Sequence, residues 1–405
     1  MIQTVVSNAS APEYGQATIS FPIREEDYPN VVNMLQSMGL GDPVERDCRV
    51  DEVCGDWPIL KRLEKVAINL DEMDYLAKRL DSFDAQEKAK FQAAAVKYGL
   101  FDMRHLIDLT FCCEETTVIT DFSDLEKVGR RHFLDVNGGS ASSEELENVD
   151  GYETALLLIG DGDGTITPYG VIYDNGMQLR PVYDGRNFPL YQDGDSVFLL
   201  GLTHKSDPDM NPPTTWLFLP TCRERLERTL RRGGYESEDD IHIRLSQSTA
   251  PNEIDSRLDV EHESLNNLNK LASAIVLLDV DQGAKLEAVV QMANPRSATE
   301  MTTLAQNLDL FNFVPGIHSP REYGEFMIRE SGHFDLDEDL VHFIDYEAYG
   351  QKQINAEGGV FKNRGYVAFR GESRGDNIIK EVMKQASAEP QEHLQTGLRL
   401  HFKGR

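Results

Sequence analysis

The chain lacks the short signatures that tie a sequence to a catalytic class. It has no Walker loop, no GxGxxG, no GxSxG and no HExxH, and its ten histidines include no HxxxH pair. Nucleotide cradling by a glycine loop, an esterase-type nucleophile and a zincin centre are therefore not indicated. The five cysteines (Cys48, Cys54, Cys112, Cys113, Cys222) are odd in number and form no CxxC pair. That excludes a zinc ribbon and reads as buried, reduced thiols. No run approaches 18 apolar residues, so no membrane-spanning helix is expected. The opening MIQTVVSNASAPEYGQ has neither a basic start nor a long apolar core, which reads as a cytoplasmic chain without a leader. Basic charge is scarce as well: 40 Lys and Arg stand against 69 Asp and Glu, a formal net charge of -29. Such a balance opposes direct contact with nucleic acid or anionic membrane and favours a basic partner.

What is present is a repeat. LDEMDYLAKRLDSFDAQEKAKFQA (70–93) aligns without a gap on LNNLNKLASAIVLLDVDQGAKLEA (265–288), an offset of 195 with seven identities. They are Leu70/Leu265, Leu76/Leu271, Ala77/Ala272, Asp84/Asp279, Ala89/Ala284, Lys90/Lys285 and Ala93/Ala288. The same offset joins Gly129 to Gly324, Ile159 to Ile354, Gly164 to Gly359, Gly170 to Gly365 and Gly176 to Gly371. One offset kept over about 100 residues points to a tandem duplication.

The shared pattern predicts an α+β chain of two tandem units. The first unit, 1–176, holds a small β-α-β layer (17–57), a helical cluster (58–112) and a helix with a hairpin (113–176). Residues 177–213, rich in Pro, Gly and Asp, read as a connector with some strand content. The second unit, 214–371, repeats the layer (214–250), the cluster (251–312) and the helix with hairpin (313–371). A tail follows at 372–405, with one helix expected at 376–388. The layers start from strands ending in proline, ATISFPI and TWLFLP, and continue to DCRVDEV and IHIRLS. In the cluster, Leu70, Met73, Leu76, Ala77, Leu80 and Phe83 form one stripe, matched by Leu265, Leu268, Leu271, Ala272, Ile275 and Leu278. Asp84 with Glu87, and Asp279 with Gln282, read as capping boxes, as do Ser123 with Glu126 and Ser319 with Glu322. The glycine-punctuated GTITPYGVIYDNG and GVFKNRGYVAFRG read as hairpins.

One string hints at an enzyme. LLLIGDGDGTI carries Asp161 and Asp163 in the spacing of a haloacid-dehalogenase-type phosphatase, with a nucleophile and a general acid. Its alternating carboxylates also hint at a calcium loop. The second copy answers both, since its slot reads Ile354-Asn-Ala-Glu-Gly-Gly-Val without paired aspartates. The phosphatase motif must also end a buried strand, whereas the aligned EAYGQKQI reads as a polar helix. The plain reading is an acidic turn, and no catalytic, metal or cofactor residue is assigned.

Charge is the remaining feature. Asp71, Glu72, Asp74 and Asp81 lie off the apolar stripe of helix 70–83 and are expected to face water or a partner. Asp84, Glu87, Asp121, Asp124 and Glu126 continue the run. Glu144, Glu145 and Glu147 follow, and Asp335, Asp337, Glu338 and Asp339 form a late cluster. B-DNA carries one charge per roughly 1.7 Å of axis, so 29 negative charges correspond to about 15 base pairs, or ~50 Å. Solvated helix faces would carry the same residues, and charge alone does not separate the two readings.

The strings LDEMDYLAKRLDSFD, LFDMRHLIDLTF and TDFSDLEKVGRRHF resemble the ArdA family of antirestriction proteins. So do LAQNLDLFNFVPGIHSPREYGEFMIRESGHF, FIDYEAYG and FKNRGYVAF, and together they span roughly 17–175 and 214–371. The resemblance implies a non-enzymatic, elongated, acidic DNA mimic of the kind encoded on conjugative elements. Its implied partner is the DNA-binding groove of a type I restriction-modification enzyme. Members of the family are typically single-unit chains that dimerise. This chain departs in its two units, its connector and tail, and in having no clean copy of the short acidic motif found near the end of typical members. It is expected to be a monomeric pseudo-dimer or a homodimer. The alternatives are an acidic module for another basic or DNA-binding protein and the phosphatase at Asp161 and Asp163.

Overall fold

The computed structural model describes residues 1–161, 163–192, 194, 196–207, 215–332, 343–375 and 377–388. The chain is α+β, with helices packed on small sheets, and divides into two compact units. The first comprises Met1–Gly194, Gly201–Leu217 and Thr221–His242; the second comprises Asp195–Leu200, Phe218–Pro220 and Ile243–Arg405.

The first unit opens with strands β1 (Ile2–Ser7) and β2 (Gln16–Phe21), helix α1 (Tyr28–Ser37), and strands β3 (Cys48–Gly55) and β4 (Ala67–Ile68). The sheet order is β2-β1-β3-β4, with β1 antiparallel to both neighbours. Strand β1 precedes the segment from which the sequence predicts the layer to begin, and it takes the central place. Its alternation is that of a half-covered strand: Ile2, Thr4 and Val6 are buried. Beyond the sheet come α2 (Leu70–Asp81), α3 (Ala85–Tyr98) and α4 (Met103–Leu109). The stripe of α2 is buried from Leu70 through Leu80, and that of α3 at Phe91, Ala94 and Ala95. Asp84 and Glu87 close the predicted capping box at the start of α3.

The helix-and-hairpin section contains β5 (Thr116–Ile119), α5 (Leu125–Val136), α6 (Ser143–Asn148), α7 (Gly151–Asp161), β6 (Thr165–Thr167) and β7 (Gly170–Asp174). Its sheet order is β5-β7-β6. The N-cap of α5 is Asp124, not Ser123: the Asp124 side chain accepts from Lys127 N at 3.1 Å, while Ser123 donates to Asp121 at 2.9 Å. Starting one residue later puts Glu126 at the second helical position. There it cannot reach back to a cap, and it accepts instead from the Tyr152 backbone at 2.8 Å.

Residues 177–192 are packed rather than a free connector. Tyr183 is fully buried, and Val182 and Tyr183 donate their backbone N–H groups to buried Asp108 at 3.0 and 2.8 Å. Phe188 stacks on Tyr75 at 4.6 Å. Then follow β8 (Phe198–His204), β9 (Thr215–Leu219), α8 (Arg223–Gly233) and β10 (Ile241–Ser248). The order is β10-β8-β9, so β8, from within the predicted connector, is again the central strand. Both β2 and β9 lead into a cis X-Pro bond, Phe21-Pro22 and Leu219-Pro220.

The second unit continues through α9 (Asn252–Asp255), α10 (Leu265–Ile275), α11 (Val280–Ala293), α12 (Ala298–Gln306), β11 (Phe311–Pro315) and α13 (Pro320–Arg329). It ends with α14 (Tyr346–Glu357), β12 (Val360–Lys362), β13 (Gly365–Phe369) and α15 (Asn377–Ala388). The sheet order β11-β13-β12 has the pattern of β5-β7-β6. The Asp279–Gln282 capping box and the Ser319 N-cap, with Pro320 at the first helical position, form as the sequence predicts. Helix pairs α5/α7 and α13/α14 cross by the same device. A Cβ on Gly129 would fall 1.8 Å from the Gly151 carbonyl, and one on Gly324 would fall 1.9 Å from the Tyr346 carbonyl, so only glycine admits the approach. Of the five free cysteines, Cys48, Cys112 and Cys113 are buried and Cys222 is half-buried, but Cys54 is exposed, against expectation.

Candidate partner-binding surface

Three of the predicted surface acids are not on the surface. Asp71, Glu72 and Asp74 are 7%, 2% and 1% exposed. The N-cap of α2, Asn69, accepts from the N–H groups of Asp71 and Glu72, fixing the first turn with its carboxylates pointing away from the apolar stripe. The face they occupy is covered by α8 and by residues 183–188, both in the first unit. Arg228 donates from Nε and Nη2 to Asp71 at 3.0 and 2.8 Å. Arg225 donates from Nη1 to Asp74 at 2.9 Å and from Nε to Glu25 at 2.9 Å, with its guanidinium 3.8 Å over the Tyr28 ring. Glu72 receives Arg46 in a fork, both bonds at 3.0 Å, together with the Tyr183 hydroxyl at 3.0 Å. Arg232 donates to the Pro43 carbonyl at 2.6 Å and to Asn69 Oδ1 at 2.9 Å.

The electrostatics follow from burial. Desolvation opposes the charge on Arg228, but Asp71 beside it more than offsets this and holds the guanidinium above its usual range. Burial, reinforced by Asp71, pushes the Tyr28 hydroxyl well up, so it stays a donor to that carboxylate. These carboxylates are internal counter-ions to arginine. Asp71 and Asp74 cannot meet a partner's cations without unpacking α8, nor Glu72 without displacing Arg46 and Tyr183.

The remaining assigned acids of the first unit are accessible. Asp81 and Asp84 are exposed at the α2–α3 junction, with Glu87 half-exposed beside them. Asp121 is exposed, and Asp124 and Glu126 half-exposed, at the start of α5. Glu144, Glu145 and Glu147 are exposed on α6. Several of these carboxylates are held in place by local donors. The Glu87 and Gln86 backbone groups keep the Asp84 carboxyl below the usual aspartate range. The Ser123 backbone does the same for Asp121, Lys127 for Asp124, Arg130 for Glu126 and the Ser142 hydroxyl for Glu145. Each is therefore a fixed, ionised oxygen pair. The structure links the first two groups indirectly: Lys90 of α3 donates to Asp135 of α5 at 2.7 Å, and Arg131 of α5 acts electrostatically on Asp84. Among the described residues, no hydrogen bond or ion pair joins the α6 triplet to them. Asp335, Asp337, Glu338 and Asp339 lie outside the described residues.

The sequence assignment passed over one group. Glu236, Glu238, Asp239 and Asp240 are all exposed around the turn before β10, and the run ESEDD was itself the signal. The enzyme alternative loses its geometry, since the residues before Asp161 form helix α7, which ends at Asp161, rather than a buried strand. No described helix is long and apolar enough to cross a membrane.

The model of the ArdA family, described as antirestriction protein, matches residues 212–368. That stretch is similar to the ArdA family and spans nearly all of the predicted second unit. No curated protein matches the chain.

Proposed function

From the ArdA-type stretch at residues 212–368, we propose that the chain is an antirestriction protein acting as a DNA mimic toward type I restriction-modification enzymes. The observation that carries the reading is the family match. The fixed, exposed carboxylates of the first unit supply a mechanism. Burying Asp71, Glu72 and Asp74 against arginines removes charge of both signs, so the net charge of -29 is still displayed by the rest of the molecule. Carboxylates arrayed like phosphates would meet Arg and Lys in the enzyme's DNA channel and compete with DNA there. Acids fixed by backbone caps lose less side-chain entropy on binding than freely rotating ones. The 195-residue offset, with the sheet orders it relates, supports a chain of two tandem copies, one polypeptide supplying what two chains supply in single-unit members of the family.

The test is inhibition of a purified type I restriction-modification enzyme, with duplex DNA as competitor and salt varied. The reading requires inhibition that DNA relieves and that weakens steeply as salt rises. Absence of binding to several such enzymes at low salt would reject it in favour of a different basic partner.

A further inference from the structure

The joint between α2 and α8 has two counterparts in the chain, and neither carries its charges. At the 195-residue offset α8 corresponds to α1 and α10 to α2; the inference rests on reading that offset as two copies of one unit. Arg225, Arg228 and Arg232 then correspond to Asn30, Asn33 and Ser37, and Asp71, Glu72 and Asp74 to Asn266, Asn267 and Asn269. The arginines lie at i, i+3 and i+7, one face of α8, and that face is seated on α2. The corresponding face of α1 is exposed at all three positions. On α10, Asn266 is exposed and Asn267 and Asn269 are half-buried.

A contact that joins one face of a unit to a different face of the next is heterologous, and nothing in its geometry stops it repeating. We infer that the α2–α8 joint is such a head-to-tail contact between copies, and that neutral residues on its two outer counterparts close it to a second molecule of this chain. On the arginine face Arg228 is matched by Asp71 and Arg225 by Asp74 and Glu25, while Arg232 is held by the Pro43 carbonyl and Asn69 Oδ1. Set on the amides of α10, Arg225 and Arg228 would lose Asp74 and Asp71 as counter-charges; set on the Asn30 face, Asp71 and Asp74 would equally lose their arginines, while Glu72 keeps Arg46. Either mismatch leaves a buried charge without its partner, which is strongly disfavoured, and discrimination of this kind depends on the penalty as much as on the match.

Two full-length variants test this. The first carries N30R, N33R and S37R; the second carries N266D, N267E and N269D. Each alone should keep the wild-type mass by light scattering, because neither meets a complementary free face. An equimolar mixture should form a complex of about twice that mass. A mixture that runs as its separate components, or a variant that associates alone, would overturn the proposal. The joint itself is tested by Asp71→Asn, Arg228→Asn and the double variant. Either single change should lower the melting temperature by about 5–10 °C, and the double variant should recover at least half of that. An unchanged melting temperature in both single variants would remove the joint and the proposal with it.

Discussion

Helices α2 and α10, whose sequences align at an offset of 195 residues, present the same apolar stripe, yet their other faces are treated in opposite ways. On α2 the residues beside the stripe are Asp71, Glu72 and Asp74, and all three are buried. On α10 they are Asn266, Asn267 and Asn269, less polar in charge and more open to water. Side-chain type alone would reverse that order, since unpaired carboxylates are among the least readily buried groups. A partner decides it. Helix α8, more than 140 residues away in sequence, brings arginines to α2, and residues 183–188 seal the edge. The periodicity of a helix identifies the face that must be covered; it does not show that the opposite face is left uncovered.

The strongest test of this contrast is to remove the partner. Arg228→Ala would leave the Asp71 carboxylate buried without the guanidinium that pairs with it, and a loss of about 3–5 kcal/mol is expected. Asn266→Ala on α10 should stay within about 0.5 kcal/mol. Urea unfolding of the full chain, followed by far-UV circular dichroism, would show the two effects. Similar losses from both would mean that α8 does not distinguish the helices.

A second comparison concerns the paired glycine crossings. Gly129→Ala and Gly324→Ala each place a methyl carbon within 2 Å of a backbone carbonyl, so α5/α7 and α13/α14 must each separate. Overpacking of this kind costs about 1–3 kcal/mol. The two losses should agree closely, because the device is the same; a loss at one site only would show that the crossings are not equivalent.

On function, the contrast separates exposed acids from buried ones. Changing Glu144, Glu145 and Glu147 together to Gln should weaken inhibition of a type I enzyme about tenfold at moderate salt and leave stability within about 0.5 kcal/mol. Asp71→Asn should do the reverse, lowering stability while leaving the inhibitory surface of the folded chain unchanged. Titrations of inhibitor against enzyme, paired with unfolding curves, would distinguish the two patterns.

Much of the fold was legible in local spacing. The stripes of α2, α3, α10 and α11, the caps at Asp84, Asp279 and Ser319, and the helix near the end depend on residues within one or two turns. The central strands were harder to see. Strand β1 is six residues at the chain start without turn signals on both sides, and β8 sits in a Pro-, Gly- and Asp-rich stretch with Gly201 inside it. The burial of Asp71, Glu72 and Asp74 was invisible for a different reason: it depends on pairing across the sequence. The signal existed at the other end, in arginines spaced to share one face of α8, but only the fold shows where that face lands.

The smallest expected effect lies at the helix starts, where the two stretches 195 residues apart agree. Asp84 caps α3 and Asp279 caps α11, each within a reciprocal box. Replacing either with Ala should cost about 1 kcal/mol at neutral pH, the ordinary value of a lost cap. Asp84 adds a pH signature, because its carboxyl is held below the usual range by backbone donors, Glu87 first. A group whose pKa is depressed on folding contributes stability above its unfolded pKa, about 3.9 for aspartate, and loses that contribution as pH falls through the folded value. The stability difference between wild type and Asp84→Ala should therefore be constant from pH 7 to about pH 5 and narrow below pH 4. A difference that widened on acidification would mean that the protonated carboxyl is the better cap, contrary to the geometry of two backbone N–H groups aimed at one oxygen.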